Sequence, residues 1–135
     1  MKKLTLWLAA CCAALTLAAC GAGGSPEKVA EKYVQSVYAG DAETVLQTVY
    51  FSDEMKQEVG VEEMVRGKIK AMVAEQKQRA NAKGGVKDIS STAAEYSNEN
   101  TEARVSVTTT FKKADTPDTQ QIRLIKSDDG WKVKL

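Results

Sequence analysis

Cysteine and histidine are the side chains that most restrict the chemistry of this chain. The 135 residues contain three cysteines, at positions 11, 12 and 20, and no histidine. The sequence therefore excludes Ser-His-Asp and Cys-His nucleophilic catalysis and every histidine-based zinc site. Acid–base chemistry would have to rest on carboxylates, tyrosines or lysines.

Acidic and aromatic residues supply the remaining candidates. Five acids lie close together in the sequence: Asp53, Glu54, Glu58, Glu62 and Glu63. They are interpreted as an acid–base pair in a cleft or, more simply, as a solvated loop and helix start. Four aromatic residues are interpreted as core residues or as the lining of a pocket: Tyr33, Tyr38, Tyr50 and Trp131. We assign no catalytic, cofactor-binding or metal-binding residue.

The first nineteen residues have the pattern of an export signal. Lys2 and Lys3 form a basic tip, and the residues from Leu4 to Ala19 carry no charge. This apolar run is near the upper limit of about 15 residues for a secretory signal and below the roughly 20 residues of a spanning helix. We expect a signal peptide over 1–19, with an uncleaved anchor as the alternative.

The end of this segment, Leu17-Ala18-Ala19-Cys20, resembles the bacterial lipobox. The resemblance implies that the Cys20 thiol receives a diacylglyceryl group and that the chain is cut just before it. Residues 20–25 would then be the lipidated cysteine and a flexible tether, and the membrane would be a partner through the acyl chains. Gly21 follows the cysteine where an aspartate favours inner-membrane retention. The expected location is therefore the bacterial cell envelope, with the outer membrane favoured.

Leu8-Ala9-Ala10-Cys11 carries the same four letters, but too few apolar residues precede it to form a signal.

The composition of the remaining chain limits the number of domains and the classes of partner that are expected. Removing 19 of the 135 residues leaves 116, which is enough for one domain. Basic and acidic residues nearly balance, and no basic cluster indicates a nucleic-acid partner. Cys20 would be the sole cysteine, so no intramolecular disulfide is expected. The lysines at 112, 113, 132 and 134 are interpreted as headgroup contacts or as charges that protect a sheet edge.

Three helices are predicted before residue 84. Ser25 and Pro26 are typical of a helix start, and Gly40 of its end. Asp41 begins a second helix, and a third is expected over 61–83, with a short helical turn at 53–59 between them.

Four strands are predicted after the helices. The apolar residues then alternate with polar ones, most clearly over 103–111. Weaker strands are expected over 86–97, 122–125 and 131–135, and a loop over 115–118. Helices followed by consecutive strands predict an α+β domain over 26–135, with three N-terminal helices packed on a curved four-stranded antiparallel meander.

Three short segments carry a resemblance to a known family. They are Ser-Pro-Glu-Lys-Val-Ala at 25–30, Tyr-Ala-Gly-Asp-Ala-Glu at 38–43 and Gly-Trp-Lys-Val at 130–133. Together with the order of elements, they resemble small bacterial lipoproteins of a domain-of-unknown-function family, number 4878. The resemblance implies membership of the nuclear-transport-factor-2-like (NTF2-like), cystatin-like superfamily. It implies a cone-shaped sheet around a long helix, with an open end that holds a ligand or a catalytic group and an outer face that forms dimers.

Function does not follow from this resemblance, because the fold serves isomerases, dehydratases, scaffolds and immunity proteins. No residue matches the isomerase constellation of an Asp base with a Tyr–Asp donor pair. Our first hypothesis is a membrane-anchored, non-enzymatic binding or interaction module without a cofactor. Its partner would be an envelope protein, a small apolar ligand or a second copy that pairs through the sheet. The alternative is an enzyme of the isomerase or dehydratase type with a carboxylate base in the cone.

Overall fold

The computed structural model describes residues 24–135. The expected signal peptide (1–19), the lipidation site Cys20 and most of the tether (20–25) lie outside the described residues. Within the part of the chain that is described, no helix is both long and apolar enough to cross a membrane.

Four helices precede five strands within residues 24–135. The helices are α1 (Pro26–Ala39), α2 (Ala42–Thr48), α3 (Asp53–Gln57) and α4 (Val61–Ala82). The strands are β1 (Val86–Ser91), β2 (Glu95–Ser97), β3 (Glu102–Phe111), β4 (Ala114–Ser127) and β5 (Gly130–Val133). The predicted α+β class is confirmed, and the short turn predicted near residue 53 is the five-residue helix α3.

Local capping groups set the boundaries of the first two helices. The Ser25 hydroxyl accepts a hydrogen bond from the Lys28 amide at 3.3 Å, and an Asp41 carboxylate oxygen accepts one from the Thr44 amide at 3.1 Å. These bonds satisfy amide groups that have no partner within a helix. Gly40 ends α1 with a φ of 81°, a conformation that glycine adopts at little cost. The predicted starts at Ser25 and Asp41 are confirmed.

The strands form one antiparallel sheet in the order β1-β3-β4-β5, and β2 also pairs with β3. Because β4 occupies one side of β3, β1 and β2 share the other side as two pieces of one interrupted edge strand. The sheet is therefore a curled, four-stranded meander whose first strand is broken, which confirms the predicted architecture.

The first strand predicted over 86–97 is not continuous, because it is interrupted at residues 92–94, although the Thr92 amide still donates to the Ser106 carbonyl of β3. There the Ala94 amide donates its hydrogen to Glu27 of α1, with the nitrogen 2.8 Å from the carboxylate oxygen. Close by, the Ser91 hydroxyl donates to Glu31 of the same helix at 2.6 Å. Two carboxylates of α1 thus accept hydrogen bonds from polar groups at the break in the edge strand.

We expect Glu27→Gln to reduce the acid sensitivity of folding. The hydrogen bond from the Ala94 amide holds the pKa of Glu27 below its ordinary value of 4.5. A depressed folded pKa stabilises the protein above the unfolded pKa, and this stabilisation is lost as the pH falls through the folded pKa. Between pH 7 and pH 3 the wild type should therefore lose about 0.5–1 kcal/mol more stability than the variant. Urea unfolding at both pH values measures the difference.

Glu63→Gln, at an exposed position of α4, is the matched control. Equal acid sensitivity in the wild type and in Glu27→Gln would contradict the proposed role of this contact.

The loop predicted at 115–118 is also wrong, because these residues belong to β4. The connection between β3 and β4 is instead the tight turn at Lys112 and Lys113. Pro117 is tolerated within the strand because β5 pairs only with residues 124–127, which leaves this part of β4 as an open sheet edge. The pairing register between β3 and β4 shifts between Thr109 and Phe111, and this shift accommodates the irregular segment around Pro117.

The sheet packs mainly on α1, which contacts β1, β3, β4 and β5. Six apolar side chains of α1 are buried in the core: Val29, Ala30, Tyr33, Val34, Val37 and Tyr38. The 22-residue helix α4 packs chiefly on α1 and α2, and only three of its residues are buried. The helix around which the sheet curls is therefore the 14-residue α1.

Gly67 lies in α4 with no atom within 4 Å of the position that a Cβ would occupy. We expect Gly67→Ala to stabilise the protein by about 1 kcal/mol, because alanine favours a helix interior without meeting a neighbour. Thermal or chemical denaturation measures the change. Gly40→Ala is the opposite case, since the added Cβ would lie 2.5 Å from a Lys77 side-chain carbon. A destabilised Gly67→Ala protein would contradict this geometry.

Candidate functional site

A polar cluster joins the C-terminal ends of α1 and α4 to the middle of the sheet. Tyr38 comes from the last turn of α1, Lys83 follows α4, and Asp118 and Gln120 come from β4. We call these four residues the Tyr38 cluster. Asp118 and Gln120 are two residues apart on a strand, so both side chains point to the same face of the sheet.

Direct hydrogen bonds link all four side chains. The Tyr38 hydroxyl donates to an Asp118 carboxylate oxygen at 3.3 Å and accepts from the Gln120 amide at 3.0 Å. The Lys83 amine donates to the same Asp118 oxygen at 3.1 Å. The three bonds therefore join the cluster into one network that is partly open to solvent.

Phe111 forms the apolar side of the Tyr38 cluster. Its ring packs edge-to-face on Tyr38 with 5.4 Å between the ring centroids, and the Lys83 amine lies 4.6 Å from the Phe111 centroid. Both arrangements are favourable because the face of an aromatic ring is electron-rich. The ring thus fixes the tyrosine and the lysine in the positions from which they reach Asp118.

The environment of the Tyr38 hydroxyl favours its neutral form. Burial raises the pKa of Tyr38 above its ordinary value of 10.0, and the negative charge of Asp118 raises it further. A neutral hydroxyl donates a hydrogen bond and does not act as a base. Tyr38 is therefore suited to orienting a polar group.

A cleft of about 550 Å³ lies beside the cluster. Tyr38 forms part of its wall, with the C-terminal region of α4 and residues 85–89 of the edge strand. Glu31, Asn81, Lys87 and Asp88 add polar groups, so this cleft is lined by mixed charges.

The largest cleft, of about 720 Å³, lies between the segment that joins α2 to α3 and the β4–β5 hairpin. Four acids and four bases contribute to its wall: Glu43, Asp53, Asp128, Asp129, Lys56, Arg66, Lys126 and Lys132. Arg66 is paired with Glu62 at 2.8 Å, and the Lys132 amine donates to the Gln47 carbonyl at 2.7 Å. The Lys56 amine also lies 4.0 Å from an Asp53 carboxylate oxygen, so three of the four cations already have a partner.

A third cleft, of about 620 Å³, lies where the described chain begins, between the start of α1 and the β4–β5 hairpin. Trp131 and Tyr96 line it, with ring centroids 5.9 Å apart. Tyr96 was not among the aromatic residues predicted to line a pocket, although it precedes the clearest strand and is one of only four tyrosines.

The structure does not bring the four predicted aromatics together. Tyr33 is buried in the core, where burial raises its pKa. Tyr38, Tyr50 and Trp131 line three different clefts. A common pocket formed by these four side chains is therefore absent from the described chain.

The acidic residues of α3 and α4 point mainly to solvent. Asp53, Glu54, Glu58 and Glu63 are exposed, and Glu62 is bound to Arg66. Among residues 24–135, no three His, Cys, Asp or Glu side chains are arranged to hold a metal ion. These positions agree with the simpler interpretation of the group as a solvated helix start.

Two features near the Tyr38 cluster were not fully predicted from the sequence. Asp118 was placed in a loop, although Asp118, Gln120, Ile122 and Leu124 follow the two-residue period of a strand. Thr109, directly opposite Asp118, is 0 % exposed, and its hydroxyl has no hydrogen-bond partner. Its inward position was predicted from the alternation of β3, but its missing partner depends on packing.

Comparison with known proteins supplies the family. No curated protein matches the chain. A solved structure from Campylobacter jejuni, described as a "Putative NTF2-like transpeptidase", is similar, with a TM-score of 0.73 and 27% sequence identity. The similarity covers 83% of this chain and 99% of that one, so the NTF2-like fold is shared over nearly the whole neighbour. A family model also matches residues 18–134. On that match, the chain belongs to the family described as Domain of unknown function (DUF4878).

Proposed function

We propose that this chain is a lipid-anchored protein of the bacterial cell envelope that acts as a non-enzymatic binding module. The anchor is inferred from Leu17-Ala18-Ala19-Cys20 behind a basic, apolar segment. The binding role is inferred from the described domain, whose interior is filled by apolar side chains and whose surface clefts are lined by charged ones.

The filled interior of the domain is the observation that carries the binding role. Side chains exposed by at most 1% occupy the space between α1 and the sheet: Val34, Val105, Val107 and Leu124. Beside them the four side chains of the Tyr38 cluster are hydrogen-bonded to one another. Recognition at the surface clefts therefore fits this domain better than chemistry inside the cone.

Two carboxyl groups with perturbed ionisation are committed to structural contacts. Hydrogen bonds lower the pKa of Glu27 through the Ala94 amide and that of Asp41 through Thr44. Both groups therefore remain ionised. Asp41 caps α2, and Glu27 links α1 to the edge strand.

The transpeptidase description of the structural neighbour does not extend readily to this chain. Acyl transfer of that kind requires a nucleophile next to an activating base. The chain has no histidine, and among residues 24–135 no serine or threonine hydroxyl is hydrogen-bonded to the side-chain amine of a lysine. We therefore carry over the fold of this neighbour and not the activity in its description.

The clefts favour a protein partner over a small apolar ligand. A pocket for an apolar molecule is mainly hydrophobic, whereas charged side chains dominate the 720 Å³ cleft. An envelope protein with a mixed-charge surface fits this chemistry. A second copy that binds through the sheet is the other form of the proposal, and the molar mass in solution distinguishes the two.

Site-specific photo-crosslinking in the native envelope tests the binding role. A photoreactive residue replaces Gln47, which is exposed in the wall of the largest cleft, and a matched control replaces Lys70 on the exposed side of α4. We expect a discrete crosslinked protein from position 47 and not from position 70. Identical background from both positions would overturn the choice of this cleft.

Intact-mass analysis of the natural protein tests the anchor. We expect the mass of residues 20–135 plus a diacylglyceryl group, whereas the mass of the whole unmodified chain would overturn the assignment.

A further inference from the structure

The domain can lie only a short distance from a lipid-modified Cys20. Three residues, 21–23, separate this cysteine from Gly24, the first described residue. Four extended residues span at most about 14 Å. If Cys20 carries the acyl chains, as proposed above, the surface around Gly24 must face the bilayer closely.

The surface around Gly24 has the composition of a membrane interface. The 620 Å³ cleft is lined there by Gly24, Lys28, Tyr96, Lys126 and Trp131, which we call the tether face. Tyr96 is 50% exposed although it is large and aromatic, and its ring packs against Trp131. Tryptophan and tyrosine favour the headgroup region because their rings are apolar and their N–H and O–H groups are polar.

The charges of the tether face complement an anionic surface. Lys28 and Lys126 are exposed, and their long side chains can place the amines among headgroups while the methylene groups contact the aromatic rings. Asp128 contributes one opposing charge to the same cleft. The two lysines exceed it, so the net attraction is for a negative surface.

We propose that the tether face docks on the surface of an anionic phospholipid bilayer and so fixes the orientation of the anchored domain. This inference rests on the proposed lipidation at Cys20. With the tether face on the membrane, the opposite end of the sheet points away from the bilayer. The 720 Å³ cleft shares Lys126 and the β4–β5 hairpin with the tether face and therefore lies near the membrane surface.

The other lysines considered as headgroup contacts are less suitable. Lys112 lies in the β3–β4 turn at the far end of β3, a ten-residue strand that spans about 30 Å. The Lys132 amine is bound to the Gln47 carbonyl, and the Lys134 amine lies 3.3 Å from Glu102. Position and existing contacts therefore single out Lys28 and Lys126.

Tryptophan fluorescence provides a direct test, since Trp131 is the only tryptophan from Cys20 onward. The lipidated protein is reconstituted in phosphatidylcholine vesicles with and without phosphatidylglycerol, with a quencher attached to the lipid near the headgroup. We expect at least twofold stronger quenching of Trp131 in the anionic vesicles. Quenching only by a water-soluble quencher in both lipids would overturn the inference.

A longer tether separates docking from enforced proximity. Ten Gly/Ser residues are inserted after Gly21, which frees the domain from the bilayer without changing the tether face. We expect lipid quenching to persist in this variant and to fall at least twofold in the same background with K28E/K126E. The matched control K87E/K112E, at the far end of the sheet, should retain it. Loss of quenching on lengthening the tether, or an equal loss in both double variants, would overturn docking.

Failure of the anchor is recognised separately. A protein whose intact mass shows no lipid contradicts the proposed function, whereas a lipidated protein with a lipid-inaccessible Trp131 contradicts only the docking.

Discussion

Leu124→Ala should lower the free energy of unfolding by about 2–5 kcal/mol, because the lost methyl groups leave a cavity that the core cannot fill. Leu124 lies in the centre of the sheet, between Ala103 of β3 and Val133 of β5, and is 1% exposed. The loss is a large fraction of the 5–15 kcal/mol that typically holds a domain of this size together. Urea denaturation followed by circular dichroism measures the change.

Ile125→Ala is the matched control, since this neighbour points to the opposite face of β4 and is only partly buried. We expect it to cost no more than about 1.5 kcal/mol. Similar losses at positions 124 and 125 would contradict the register of β4 and the face that it presents to α1.

Cys20→Ala should abolish attachment of the protein to the membrane through acyl chains. Two or three acyl chains hold a protein on a bilayer stably, because each buried methylene contributes about 0.8 kcal/mol, and alanine has no thiol to acylate. The variant should therefore accumulate as uncleaved precursor or as a released, unmodified protein. Detergent-phase partition and intact mass of the wild type and the variant, expressed in the same bacterium, measure the effect.

Cys11→Ala is the control, because this cysteine ends the same four-residue pattern but has too short an apolar segment before it. We expect normal processing and lipidation in that variant. A processed Cys20→Ala protein that still enters the detergent phase would show that Cys20 is not the acylation site.

The fold class could be predicted from the sequence because its signals are local. Ser25 and Asp41 cap their helices with bonds that reach only three residues along the chain. The alternation of β3 follows from the two-residue period of a strand with one buried face. The NTF2-like architecture was then accessible from the order of the elements together with the family resemblance.

The errors in the sheet arose where distant contacts override local preference. The segment around Pro117 has the composition of a turn, but pairing with β3 and an open edge on the other side keep it in β4. The edge strand was predicted as continuous, but Glu27 binds the Ala94 amide from 67 positions away in the sequence. Neither partner can be identified from the residues that surround the segment.

The candidate sites also have some features that the sequence predicts and others that depend on distant contacts. The sequence alone determined the restricted chemistry, through the absent histidine, and it supports the prediction of one acylated thiol at Cys20. Only the tertiary structure decided that Tyr38 meets Asp118 and that Tyr96 meets Trp131, and it placed the second pair beside Gly24. Residue types are read directly from the sequence, and helix caps form between residues a few positions apart. The Tyr38–Asp118 and Tyr96–Trp131 contacts depend instead on how the sheet curls around α1 and on the register of its strands.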